Sequence, residues 1–415
     1  MAQIILISFL IFSIAGLILK IILNRVNSKY IRQHANQVPK GFEEKIDLEN
    51  HQKAQRYSIA KLNFGIVSNL IAFISLYISL FFIYGWVDEF VRSNFEYSSK
   101  IQGLIFFGIL SLISMIVSLP ESIYSTFVLE EKFGFNKTTP KIFLIDIFKG
   151  ILLSCLIGAP FLYFLLYLME SLGELWWLAG ASAFLVFQFF LIWAYPKFIA
   201  PLFNKFTPLK DVELEKEMNA LIERANLSFK DYYVMNASLR SSHGNAYFTG
   251  FGKNKRIVFF DTLLKTLSTE EVIAVMAHEL GHLKHKHIIK SLMKSIVFLY
   301  IGFYILGLLS KSAWFYQIFS ELQPSNYMAL TLFSSLVPIY TFFLTPLFSW
   351  LSRKNEYEAD KFACDHANGQ DLINALIKMY KDNSSTLTPH PTYSKFYFSH
   401  PPALERINYI RSCIN

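Results

Sequence analysis

The chain has 415 residues, 53% of them hydrophobic and 17% aromatic. That composition excludes an ordinary soluble enzyme and fits a polytopic membrane protein of mainly α class. The formal net charge of +8 falls in loops beside hydrophobic runs, which is positive-inside sorting and not a nucleic-acid surface.

The N-terminus begins Met1-Ala2-Gln3, with no basic side chain and no small-residue cleavage site after the apolar stretch. A retained first helix is therefore expected in place of a cleaved signal peptide. Seven stretches can cross about 30 Å of hydrocarbon as helices. They run from Ile4 to Leu23, Leu62 to Trp86, Ile101 to Leu119, Ile151 to Met169, Trp176 to Ile199, Ser291 to Ser310 and Tyr327 to Trp350. Pro160, in the fourth, and Pro338 and Pro346, both in the seventh, are expected to kink these spans. The segment from Asn24 to Lys61, the loop after the third span, the region after the fifth and the tail after the seventh are basic. The turn from Glu170 to Leu175 has no Lys or Arg, and the loop before the seventh span has only Lys311. This alternation predicts an outside N-terminus and a cytoplasmic C-terminus, in an endoplasmic reticulum or a bacterial inner membrane. The expected organisation is a membrane domain over 1–200, a cytoplasmic segment over 201–290, two spans over 291–350 and a cytoplasmic tail over 351–415. Cys155, Cys364 and Cys413 form neither a disulfide framework nor a thiolate metal site.

Within the 201–290 segment, His278-Glu279-Leu280-Gly281-His282 reads H-E-x-x-H. Ser268 and Glu271 have the spacing of a capping box, so a helix is expected to start there. One turn apart on it, His278 and His282 can share one zinc ion, and the carboxylate of Glu279 can activate a water. The helix is expected to run on, unbroken by proline, into the sixth span. A third histidine ligand six residues on is excluded, because position 288 is Ile288. His285 lies near the same face but about 10 Å along the axis from His278, so it is expected at the surface or behind a ligand. After the seventh span, Glu356 and Asp360 share a helix face at i, i+4, while Glu358 is expected to point elsewhere. One of the pair can complete a tetrahedral site and the other can hold a ligand imidazole.

These residues resemble the integral-membrane zinc endopeptidases that include the type I CAAX prenyl protease. The resemblance is carried by His51-Gln52-Lys53-Ala54, by the stretch from Glu130 to Lys137, by Ser242-His243-Gly244-Asn245-Ala246-Tyr247-Phe248, by H-E-x-x-H, by Glu356 with Asp360, and by His400-Pro401-Pro402 with Arg406. It implies seven helices around a water-filled chamber, closed by a gluzincin-type peptidase domain with a small β element. It further implies an edge strand at Asn245 and Ala246 that pairs with substrate, and polar groups His400 and Arg406 near the metal. In the mechanism that follows, His278, His282 and Glu356 hold one zinc, and Glu279 is the general base. Asp360 assists proton return, and His400 or Arg406 assists the oxyanion. Expected partners are membrane lipids and protein or peptide substrates, prenylated CAAX proteins foremost. The alternative is a membrane quality-control peptidase without a prenyl requirement.

Overall fold

The structure, a computed structural model, describes residues 1–227, 231–249 and 256–414. Among the described residues, seven helices are long and apolar enough to cross a membrane: Ala2–Gln33, Leu48–Asn94, Ser99–Phe133, Pro140–Ser171, Gly173–Phe203, His287–Leu309 and Asn326–His366. Each expected apolar run falls in one of them, but most helices extend well past the run. The second has 47 residues, about 70 Å at 1.5 Å per residue, which is over twice the hydrocarbon thickness. Its extra turns therefore stand outside the bilayer. Near Pro160 the fourth span accommodates the missing N–H with a wide π turn at Ser154–Gly158. Between Pro338 and Pro346 the seventh tightens into a 3₁₀ turn at Phe342–Leu344.

Two hydrophobic cores sit at opposite ends of these helices. One gathers Phe9, Phe106, Leu166, Trp176, Phe315 and Tyr327 from span ends and the loop before the seventh span. The other joins Met218, Phe259, Met276, Leu280, Phe362, Leu376 and Ile407 of the soluble segments, and it also takes in Val38, Phe42 and Ile46 from the first loop. Between the cores, burial stops. No residue is buried over 63–79, 107–128, 136–164, 182–193, 288–302 or 337–348. A solid bundle would bury one face of each span along its whole length. These spans stand apart over their inner halves and enclose a chamber, plugged at one end by aromatic side chains and capped at the other by the peptidase core.

The cap contains a four-stranded sheet in the order β1-β2-β4-β3, made of Phe206–Pro208, Asp231–Met235, Arg256–Phe260 and Ala246–Thr249 respectively. β2 and β4 are parallel and the other pairs antiparallel. β3 is an edge strand. Phe260 N–H donates to the Asn245 carbonyl at 2.9 Å, so Asn245 faces β4. By the alternation of an antiparallel pair, Ala246 then turns its backbone groups to the open edge.

The histidine helix spans Thr269–Lys284, and Ser268 and Glu271 form the expected capping box. It does not run on into the sixth span. His285 ends it, Lys286 takes a left-handed conformation at φ 56°, and a new helix starts at His287. The left-handed residue redirects the chain without a proline, which is why the sequence concealed the break.

Candidate metal centre

The histidine helix packs on the second half of span seven, Thr345–His366. Gly281 sets how closely. A Cβ there would meet the Ala359 Cα at 2.8 Å and its carbonyl oxygen at 3.1 Å, so only glycine lets the helices approach this far. The approach brings Glu356 and Asp360, on either side of Ala359, against the histidines.

His278, His282 and Glu356 converge with one ligand atom each, all within 4.8 Å of one another. His278 Nε2 and His282 Nε2 are 3.2 Å apart. His278 Nε2 is 3.5 Å from Glu356 Oε2, and His282 Nε2 is 3.3 Å from Glu356 Oε1. A tetrahedral ion with bonds of roughly 2.0–2.1 Å needs donor spacings of about 3.3 Å. Glu356 Oε2 is also buried with no aligned hydrogen-bond donor, although His400 Nδ1 comes within 2.7 Å of it. Two imidazoles and a carboxylate at these spacings, with a buried oxygen unsatisfied, fit a metal ion.

Each histidine has its own support. His278 Nδ1 is 2.8 Å from Asp360 Oδ1, which fixes the tautomer with the Nε2 lone pair turned to the centre. Asp360 is fully buried and accepts a bidentate pair from Arg406, Nε to Oδ2 at 2.8 Å and Nη2 to Oδ1 at 2.7 Å. Burial opposes the guanidinium charge, but the carboxylates of Asp360 and Glu356 outweigh it and hold the Arg406 pKa above the ordinary arginine value. Both oxygens of Asp360 are thus occupied. That geometry suits orientation of His278, and Arg406 reaches past Asp360 as well: its Nη2 lies 2.9 Å from His278 Nδ1 and its Nη1 3.9 Å from Glu356 Oε2, in the wall of the cavity that holds Glu279. His400 stays at the rim with a largely exposed side chain.

The second support was missed. His282 Nδ1 lies 3.0 Å from His287 Nδ1, and His287 Nε2 lies 2.8 Å from Glu358 Oε2. With His282 Nε2 turned to the centre, its Nδ1–H donates to His287 Nδ1, and His287 Nε2–H donates to Glu358. Glu358 lies off the face shared by Glu356 and Asp360, and from there it anchors this chain. His287, not His285, backs the ligand, because the left-handed turn at Lys286 swings it beneath His282. His285 is largely exposed, 3.9 Å from Glu358.

Glu279 lines a cavity of about 290 Å³ with His278, Asn245, Tyr380, His400 and Arg406. The start of β3 is tied down from the C-terminal side. Asn383 Oδ1 accepts from Gly244 N at 3.1 Å, and its Nδ2 donates to the Gly244 carbonyl at 3.3 Å. No motif pointed to Asn383.

Comparison with known proteins agrees along nearly the whole chain. Residues 27–205 match the family model described as CAAX prenyl protease N-terminal, five membrane helices, and residues 208–414 match peptidase family M48. CAAX prenyl protease 1 of Saccharomyces cerevisiae is 36% identical over 406 residues, covering 91% of this chain and 89% of that protein. The human CAAX prenyl protease 1 homolog is 31% identical over 423 residues, covering 90% and 89%. The crystal structure of S. mikatae Ste24p superposes with a TM-score of 0.90 at 32% identity, covering 99% of each chain. The chain belongs to the M48 metallopeptidases, among the type I CAAX prenyl proteases.

Proposed function

We propose that this membrane endopeptidase uses zinc and removes the C-terminal three residues of prenylated CAAX proteins, the substrate class in the names of its relatives. The observation that supports it most is the set of donor spacings at His278, His282 and Glu356, beside a carboxylate, Glu279, lining the same cavity. Zinc held there would supply Lewis-acid polarisation of the scissile carbonyl and of the attacking water. Glu279 takes the proton of that water and delivers it to the leaving amine. Ala246, at the open edge of β3, holds the substrate backbone extended, and Asn245 beside it lines the cavity that the peptide crosses. Asp360, braced by Arg406, orients His278, and His400 reaches the developing oxyanion from the rim.

The segments 201–290 and 351–415 act as one peptidase unit on the cytoplasmic side, the placement favoured by the basic loops. The prenyl chain lies against apolar span surface while the peptide crosses the centre. The test pairs Glu279→Gln with a lipid comparison. The variant keeps about one zinc per chain and loses nearly all cleavage, and the wild type cuts a farnesylated peptide far faster than its unmodified twin. A fully active variant ends the mechanism, and equal rates on the two peptides end the prenyl requirement.

A further inference from the structure

Beside the metal centre lies a larger cavity, about 720 Å³, against the first two spans. It shares Asn245, Met379, Tyr380, Asn383 and Ser385 with the smaller cavity that contains Glu279. Among the described residues its lining has one lysine, Lys61, and no arginine, aspartate or glutamate. Lys61 makes no ion pair among the described residues, and its Nζ lies 4.9 Å from the centroid of the Tyr57 ring. Tyr57 is itself held: it packs on Phe133 and Phe135, and its hydroxyl donates to Glu130 at 2.6 Å. The aromatic face therefore holds this exposed ammonium group at the cavity wall, with no carboxylate of the described residues paired to it. His243, the other basic ring in the wall, is already engaged by Asn383 and stacked on Phe135.

Strand direction links this cation to the reaction. β3 runs away from Asn245, which lines both cavities. A peptide added antiparallel to it, the more stable pairing, runs toward Asn245. Residues beyond the scissile bond then pass Gly244 and Asn245 into the larger cavity. Three of them span about 10 Å.

Resting on the function proposed above, we infer that the larger cavity receives the three-residue leaving peptide and that Lys61 binds its terminal α-carboxylate. Lys61 is then a specificity-determining residue, and the scissile bond is selected by its distance from a free C-terminus.

The experiment uses the full-length enzyme and two farnesylated peptides, alike except that one ends in a carboxylate and the other in a carboxamide. Wild type is expected to favour the acid by about tenfold in kcat/KM, carried by KM, the scale of one charge-assisted hydrogen bond. Lys61→Met collapses that ratio to about one, and Lys61→Arg restores it. An unchanged ratio in Lys61→Met, or equal cleavage of both peptides by wild type, overturns the inference and leaves the peptidase reading standing. Cleavage of neither peptide while an unrelated unfolded polypeptide is still cut overturns the substrate reading, and the inference with it.

Discussion

His278 and His282 offer the metal the same atom, but what stands behind them differs. Behind His278 is a sealed network: Asp360 and Arg406 are both buried and their charges face each other. Behind His282 the network runs outward through the buried ring of His287 to Glu358, whose side chain is 47% exposed. The tautomer logic is the same on both sides, but the dielectric surroundings are not. Removing one partner of a buried charge pair leaves the other uncompensated, whereas a carboxylate near solvent is replaced by water at little cost. The sealed side should therefore couple metal binding to folding, and the open side should tune affinity alone.

The sharpest break is Asp360→Ala. It strands the Arg406 guanidinium in the interior, at about 3–5 kcal/mol of stability, and frees the His278 ring, at about 10–100-fold in metal affinity. Thermal unfolding and chelator competition read the two losses separately. Adding Arg406→Met should restore most of the stability and none of the affinity, because the stranded charge is gone but the ring is still free. If the double variant stays as unstable as the single one, the charge-pair account fails.

Gly281→Ala tests what both sides share. Its methyl would enter the space held by the Ala359 backbone, and overpacking of that kind costs about 1–3 kcal/mol. Forcing the helices apart also widens the donor triangle, so metal should dissociate faster in a stopped-flow chelator assay. A variant with native metal release would show that the two helices have room to spare.

The two sides also differ in how legible they were. H-E-x-x-H and the Glu356–Asp360 pair could be read because i, i+4 spacing on a helix fixes a shared face whatever the tertiary structure. The preceding span put the acidic pair near a membrane end. That Arg406 would close onto Asp360 could not be read, since the two lie 46 residues apart with two helices between them. On the open side the obstacle was local. On one continuous helix His287 would sit about 140° around the axis from His282, and nothing in Lys284-His285-Lys286 announces a left-handed residue. The chamber was illegible for another reason: a lipid-facing and a cavity-facing leucine look alike in hydropathy. Only the loss of burial between two cores separates them.

His287→Ala is the first test of the open side. It removes the acceptor for His282 Nδ1–H, and water can enter from the Glu358 side to replace it. Metal affinity should fall by about tenfold, the low end for lost outer support, with unfolding temperature nearly unchanged. A loss of stability as large as in Asp360→Ala would erase the contrast between the two sides.

The smallest effect belongs to Glu358→Gln. The amide oxygen can still accept from His287 Nε2–H, so the tautomer chain survives, and only the charge is lost. His287 accepts at Nδ1 and donates at Nε2, so it is neutral and no ion pair is lost, and the ring stands between this half-exposed charge and the ligand. Metal affinity should change by about twofold or less, by less still at high salt, where screening already removes most of a surface charge. Chelator competition at low and high ionic strength measures it. If the charge of Glu358 proves to matter tenfold at high salt, its carboxylate polarises the imidazole pair directly, and the open side is electrostatically as closed as the sealed one.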